Sequence, residues 1–319
     1  MNPTGIEYVD LSWNPIAMRC SRVSPACDNC WHLATCDRMA RNTNFSPELR
    51  EVYAGKAPPM LIESRLQQPL RDKTPRTIAT QFMGDLFGDA ITNVMRDRVF
   101  AVMAKAEWHT FLVLTKRPKG MRIYMEGLAS VDGAVRFERW KTVGGGMLLH
   151  KYGMMFRRGE SLPNVWLGVT VETPDYYWRI IELMQVPAAI RWVSLEPMLD
   201  AIDIEHHLSP NPVCDGCGWV GPSETEGSDH VRNAMEPGDS PERCGTWRMP
   251  PSLDWVVAGS ESGQGRRPSD PDWFRSLRDQ CVAAGVPYFL KQMDVGGKVV
   301  SMPPLDDRAW DQKPEVEHG

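Results

Sequence analysis

Eight cysteines stand at positions 20, 27, 30, 36, 214, 217, 244 and 281. Cys20, Cys27 and Cys30 read C-x6-C-x2-C directly after the first apolar run. Thiolates are the usual protein ligands of iron–sulfur clusters, and a C-x2-C pair can reach adjacent irons from one tight loop. Three thiolates on a [4Fe–4S] cluster leave one iron open to another ligand. Cys36 falls inside a helix expected to begin near Trp31. It reads either as a fourth ligand, closing the site as structural zinc or an electron-transfer cluster, or as a core thiol. The helical setting favours the core thiol and a three-cysteine site.

The second group has another character. Cys214 and Cys217 form C-x2-C followed by Gly218, as in a zinc knuckle, and Cys244 is the next thiol, followed by Gly245. His230 lies between them and completes a tetrahedral set of three cysteines and one histidine for Zn2+. His206 and His207 compete for that place, and a second iron–sulfur cluster is the other reading of the group. The intervening segment is polar and carries Pro222, Gly227, Pro237 and Gly238. It has no apolar core of its own, so a bound metal would supply folding energy.

Both groups need elements to position them. Apolar runs are expected as strands at Ile6–Ile16, Thr77–Phe82, Thr110–Leu114, Asn164–Val171, Ile190–Leu195, Leu253–Ala258 and Pro287–Leu290. Runs such as FLVL and WVVA suit strands of a parallel sheet buried on both faces. Amphipathic helices are expected between them. Ile91, Met95, Val99, Val102 and Ala106 share one face, as do Tyr177, Ile180, Ile181 and Met184, and Trp273, Phe274, Leu277 and Cys281. Strands alternating with helices predict βα units, hence an α/β protein built as a full or partial (β/α) barrel of the TIM-barrel kind, with a doubly wound sheet as the alternative.

In such barrels the reactive groups gather where the strands end. Here those ends carry Asp85, Lys116-Arg117, Glu172, Glu196, Ser260-Glu261 and Lys291-Gln292, which together suggest one shared cavity. The barrel is expected over residues 1–202 and 252–294, with an inserted zinc-ribbon-like segment over 203–251. Residues 295–319 read as a C-terminal tail, polar and Pro-rich, fraying over its last ~15 residues. A helical excursion is expected within Gly120–Pro163.

Composition narrows the field. The 319 residues are 42% hydrophobic and 24% charged, an ordinary balance for a globular protein. No apolar run approaches the ~20 residues of a bilayer span. The N-terminus MNPTGIEYVD lacks a basic region followed by an apolar one, so export is not expected and a cytoplasmic location is. Clustered cysteines in that setting bind metal or do chemistry more often than they form disulfides. A net charge of −5 argues against a broadly basic nucleic-acid surface, though not against a local basic strip such as Arg266-Arg267. No histidine is followed two positions later by Glu, so a zinc deaminase lacks its general acid. Gly259 to Gly263 reads G-S-E-S-G, with Glu where a nucleophile elbow needs Ser. Gly263-Gln264-Gly265 lacks the third glycine of a dinucleotide loop, and there is no Walker loop. Trp166, Trp192 and Trp255 lie in strands and read as packing. Cys281 reads as core.

Several of these motifs occur together elsewhere. The run Ile6-Glu7-Tyr8 through Ser12-Trp13-Asn14-Pro15, with Cys20, Ser24-Pro25, Cys27 and Cys30, resembles a phage family of radical S-adenosylmethionine (SAM)-like proteins, gene product 37/gene product 68. The resemblance extends through Met83-Gly84-Asp85-Leu86-Phe87, Leu114 to Pro118, Val165 to Val169, Ser194 to Pro197, Gly259 to Gly263, Arg267-Pro268 and Lys291-Gln292. It covers most of the chain. The C-x6-C-x2-C spacing departs from the C-x3-C-x2-C common in the radical SAM superfamily.

The resemblance implies a radical SAM barrel in which Cys20, Cys27 and Cys30 hold a [4Fe–4S] cluster whose open iron chelates SAM. It implies a cellular reductant of the flavodoxin or ferredoxin type and, for a phage-encoded chain, the host cytoplasm. It further implies a modified nucleotide or DNA base as substrate, because some phage enzymes of this kind act in thymidine hypermodification by rearranging a glycyl group on the base, an isomerase reaction. Within that reading Asp85 would meet the SAM amino group, Lys116 or Arg117 its carboxylate, and Glu172 or Glu196 the ribose hydroxyls. Each of these residues also reads as a salt bridge at the barrel mouth. The alternative from another class is a non-catalytic, zinc-stapled nucleic-acid-binding protein with zinc at both cysteine groups.

Overall fold

The computed structural model describes residues 1–129, 161–210, 213–214 and 247–315. Thirteen strands are formed among them: β1 (Asn2–Pro3), β2 (Leu11–Trp13), β3 (Ile16–Ala17), β4 (Met60–Leu61), β5 (Thr77–Thr80), β6 (Thr110–Thr115), β7 (Val165–Thr170), β8 (Ile190–Leu195), β9 (Val213–Cys214), β10 (Trp247–Arg248), β11 (Trp255–Gly259), β12 (Tyr288–Val295) and β13 (Lys298–Ser301). Nine make one sheet in the order β1-β2-β5-β6-β7-β8-β11-β12-β13. From β2 to β12 every neighbouring pair is parallel. The order follows the chain without reversal, so every crossover steps the same way. A doubly wound sheet would need a switch point where the order turns back. The sheet is not closed into a full barrel: β1 pairs antiparallel on one edge and β13 on the other.

The two faces are filled differently. Side chains alternate along each strand. One set, including Ile78, Phe111, Val113, Leu167, Val193 and Val256, packs under the helices α5 (Asn93–Lys105), α6 (Pro118–Ala129), α7 (Trp178–Met184) and α9 (Pro271–Ala284). The helices start where capping groups permit. Thr92 Oγ1 accepts from Met95 N at the start of α5, and the Asp270 carboxylate accepts from Asp272 N at the start of α9, which ends at Gly285 with φ +69°.

The opposite set is Ala79, Leu112, Trp166, Trp192, Trp255, Val257 and Phe289. Its centre is plugged by Tyr8, whose ring meets Trp255 at 5.5 Å, Phe289 at 5.6 Å and Trp192 at 6.1 Å, all edge-on. Glycine is required beneath it, because a Cβ on Gly168 would come within 2.4 Å of the Trp192 ring. Glu7 accepts from the Ser301 hydroxyl on β13. The segment before β2 therefore reaches the far edge of the sheet, and side chains rather than a strand ladder bridge the opening. This is why Ile6–Ile16 is not the single strand expected. It turns at Glu7-Tyr8 and forms only the short β2 and β3.

Two further expectations change. From Asp294 to residue 315 the chain is folded rather than frayed: β12 turns through Gly296-Gly297 into β13, and Leu305 and Trp310 are buried. Leu290 N donates to Trp310 O at 2.8 Å, and Trp255 Nε1 to Gln312 O at 2.9 Å. Residues just past position 203 still belong to the main body. α8 (Glu205–Leu208) places Ile204 and Leu208 in the same core as α9. Beyond it β9 and β10 pair antiparallel, with Trp247 opposite Cys214, so the chain leaves and re-enters side by side. The expected excursion begins as helix α6, and its remainder, 130–160, lies outside the described residues. Among the described residues no helix is long and apolar enough to cross a membrane.

Candidate functional site

The cysteine loop leaves β2 under firm control. Gln81, just past β5, adopts φ +57°, and its amide grips the loop's first turn. Its Oε1 accepts from Ile16 N at 3.0 Å, while Nε2 donates to Ile16 O at 2.8 Å and Met83 O at 3.0 Å. Gly84 follows with φ +123°, where a Cβ would lie 2.5 Å from Met18 Sδ. The loop then makes one 3-10 turn, Pro25–Cys27, and enters α1 (Trp31–Arg41) with Cys30 at its N-cap position.

Cys20, Cys27 and Cys30 all line one cavity of about 430 Å³ that lies over the C-terminal ends of the strands. Cys36 does not line it. Cys36 is fully buried in α1, its thiol donates to Met18 O at 3.5 Å, and burial pushes its pKa up to about 11.

Side chains from successive strand ends bind this loop. After β5, Asp85 accepts from Thr115 Oγ1 at 2.6 Å, Phe87 N at 3.0 Å and Lys116 N at 3.1 Å, and pairs with Arg117 at 3.0 Å. Arg117, after β6, also donates to Ser21 Oγ at 2.6 Å and Ser21 O at 3.0 Å, and its Nη1 lies 3.6 Å from Cys20 Sγ. Lys116 donates to Ser24 Oγ at 3.1 Å and sits 4.0 Å from Cys27 Sγ. Glu172, after β7, accepts from Ser24 and Lys116 on one oxygen and from Arg179 at 2.8 Å on the other. Glu261, after β11, is clasped by Arg267 and accepts from Asn29 Nδ2 at 3.0 Å, while Arg267 donates to Pro25 O at 3.1 Å.

The electrostatics follow from this packing. Burial raises the Cys27 thiol's pKa, but Lys116, the backbone and Ser24 outweigh it, and the net shift is downward. Burial and nearby Asp85 raise Cys20, against the pull of Arg117. Arg267 holds Glu261 below the usual carboxylate range despite burial. One half of the cavity wall is thus a cationic seat for two of the three thiols. Among the described residues no three His, Cys, Asp or Glu side chains converge as ligands of a single ion would.

The other half comes from β8, β11 and β12. Glu196, just past β8, pairs with Lys291 on β12, and Gln292 Nε2 donates to it at 3.4 Å. Ser194, Ser260 and Ser262 line the same side, with Tyr8 and Phe82 forming an aromatic wall.

Sequence reasoning placed Asp85, Lys116, Arg117, Glu172 and Glu196 at strand ends, and the structure brings four of them, all but Glu172, onto the cavity wall. Glu172 lies directly behind, fully buried and joined to Lys116. Arg179, Asn29 and Gln81 were missed. Arg179 sits beside the apolar face of α7 and reads as a solvated helix residue, yet it is 1% exposed. The only signal for Gln81 is a polar residue closing an apolar strand. Of the second cysteine group, Cys217, His230 and Cys244 lie outside the described residues, and Cys214 is seen only as backbone in β9.

Fold and site together define an α/β protein with an open, sequentially wound sheet and a cysteine loop clamped across its strand ends. The chain belongs to a family described as proteins of unknown function, DUF5131, which it matches over residues 3–314. No curated protein matches it, and no solved structure does.

Proposed function

We propose that this chain is a radical SAM enzyme whose Cys20, Cys27 and Cys30 hold a [4Fe–4S] cluster at the strand ends of a partial (β/α) barrel. One observation carries the reading: three thiols line one cavity, and side chains from the ends of β6, β7 and β11 fix the loop that bears them.

The donor set fits such a group. A [4Fe–4S] cluster is held corner by corner, one thiolate to each iron, so its ligands need not converge on a point. Two of the thiols stand beside cations, and at Cys27 the net shift is toward the thiolate that binds metal. Cys36 points into the core, which leaves a three-thiol set. When bound, a cluster of this type supplies the electron that cleaves SAM and so the carbon radical that abstracts a substrate hydrogen.

The remaining tasks fall to the chain. Lys116 and Arg117 neutralise charge at Cys27 and Cys20. Asp85 and Glu172 hold those cations in place. Tyr8 and the tryptophans beneath it close the floor and exclude water from that side. The substrate is a nucleotide or DNA base, thymidine in type, and rests on the resemblance of the motifs. A low-potential reductant of the flavodoxin or ferredoxin type is required. The segment carrying Cys214, Cys217, His230 and Cys244 is proposed as a zinc-stapled insertion.

Anaerobic reconstitution with iron and sulfide tests this. The protein should turn brown and hold about four irons per chain at this site. With SAM and dithionite it should release 5′-deoxyadenosine. Cys20→Ala, Cys27→Ala and Cys30→Ala should each abolish the cluster, while Cys36→Ala should keep it. A colourless protein carrying only zinc would overturn the proposal.

A further inference from the structure

The strand-end carboxylates differ in what they have left to offer. Asp85 and Glu261 have both oxygens engaged by protein donors, and so does Glu172. Glu196 is different. Lys291 and Gln292 both use its Oε1. Among the described residues Oε2 has no hydrogen-bond partner, and it is not sealed from solvent. An ammonium group has three donors. Among the described residues Lys291 spends one, on Glu196. The two side chains are 18% and 15% exposed, and both line the cavity.

The pair is also held rigidly. Gln292 Nε2 donates to Ser260 O at 2.6 Å while touching Glu196. Glu196 Cγ and Gln292 Cγ both pack against the bare backbone of Gly259, where a Cβ would stand 3.3 Å and 3.2 Å from them. What remains is a fixed acceptor beside a fixed donor. The two charges cancel, so the pair offers no net charge to draw in an ion. Phe82, stacked on Trp192 at 6.4 Å and 23°, gives the same cavity a flat apolar surface.

The geometry points to the Glu196–Lys291 pair as the subsite that reads the donor–acceptor edge of a neutral cyclic amide or ureide, the class that includes pyrimidine bases. A ring N–H donates to Glu196 Oε2, the adjoining carbonyl accepts from Lys291 Nζ, and the ring face lies along Phe82. The inference rests on the proposed base substrate and gives it a place, at the β8 and β12 part of the cavity wall. A zwitterionic amino acid also matches a plus–minus pair but has no flat ring face to lie along Phe82, and titration with glycine and methionine separates the two.

Calorimetric titration of thymidine and of N3-methylthymidine into the reconstituted protein tests this. Thymidine should bind, and blocking its ring N–H should weaken binding by about ten- to a hundredfold, since the bound methyl group then covers the acceptor without pairing it. Glu196→Gln and Lys291→Met should each lower thymidine affinity about tenfold or more, with iron content and melting temperature held near wild type. Two variants guard against one failing to fold. Equal binding of the two nucleosides, no binding of thymidine, or unchanged affinity in both variants would overturn the inference. So would binding of glycine or methionine that depends on the pair. The parent reading fails separately: a protein without iron that still discriminates the nucleosides sinks the cluster alone, and a SAM-cleaving protein that does not discriminate sinks this subsite alone.

Discussion

The two halves of the cavity wall use the same residue types for different ends. On the β5–β7 side, Lys116, Arg117 and Glu172 are turned toward the cysteine loop, and Asp85 holds Arg117. On the β8–β12 side, Glu196 and Lys291 touch each other and the cavity. A carboxylate at a strand end is thus not a ligand site by position. Its free lone pairs decide, and those depend on what the rest of the chain brings to it. The β5–β7 ends, joined by Glu261 after β11, are a mount for the cysteines, and the Glu196–Lys291 pair of β8 and β12 is left open.

Swapping one carboxylate in each half breaks the comparison most directly. Glu172 is fully buried and faces both Lys116 and Arg179, and Arg179 is itself 1% exposed. Removing one partner of a buried ionic group leaves the others uncompensated, which costs about 3–5 kcal/mol. Glu172→Gln should therefore lower the unfolding free energy by that much, read from denaturant titrations. Glu196→Gln alters a half-open pair and should stay within about 1 kcal/mol. Equal losses in the two variants would erase the distinction between mount and open surface.

Asp85 sharpens it. Four protein donors occupy its carboxylate, so Asp85→Asn should destabilise the fold by about 1.5–3 kcal/mol, the scale of hydrogen bonds to a charged group. It should also loosen Arg117 from Cys20 and slow cluster assembly. The alternative is a direct contact with the amino group of SAM. In that case SAM affinity would fall about ten- to a hundredfold at unchanged stability. Melting curves run beside SAM titrations separate the two.

Much of this was legible in the sequence, and the remainder was not, for physical reasons. Ile190–Leu195 is a strand over the expected residues, and β5, β6, β7 and β11 begin or end within two of theirs, because an apolar run buried on both faces has few other options. The polar residues that follow were likewise evident. Their partners were not: Ser24 meets Glu172 across 148 positions, and Asn29 meets Glu261 across 232. Local pattern carries no information at that range. Strand count does not decide closure either. The opening is bridged by Tyr8 and by the bond between Ser301 and Glu7, which no periodicity announces. Composition misled at the C-terminus, where polar, Pro-rich residues surround Leu305 and Trp310, and those two side chains anchor the segment.

That anchoring leads to the smallest expected effect. Asp306, between the two anchors, accepts from Arg278 at 2.6 Å and Arg275 at 2.9 Å on α9. The contact is exposed, and such pairs contribute little because water screens them. Hydrogen bonds from Arg278 and then Arg275 hold the Asp306 carboxyl below its usual pKa. A carboxyl depressed in the folded state adds stability that is complete above its unfolded value, near 3.9, and is lost as pH falls through the folded one. Asp306→Asn should thus lower the melting temperature slightly at pH 7, with the gap to wild type closing as pH drops below about 4. Burial of Leu305 and Trp310 would still hold the segment in place, so the amide of Leu290, which donates to Trp310 O, should keep its protection from hydrogen exchange in the variant. Loss of that protection would mean that the ion pairs, and not the buried side chains, fix the end of the chain to the sheet.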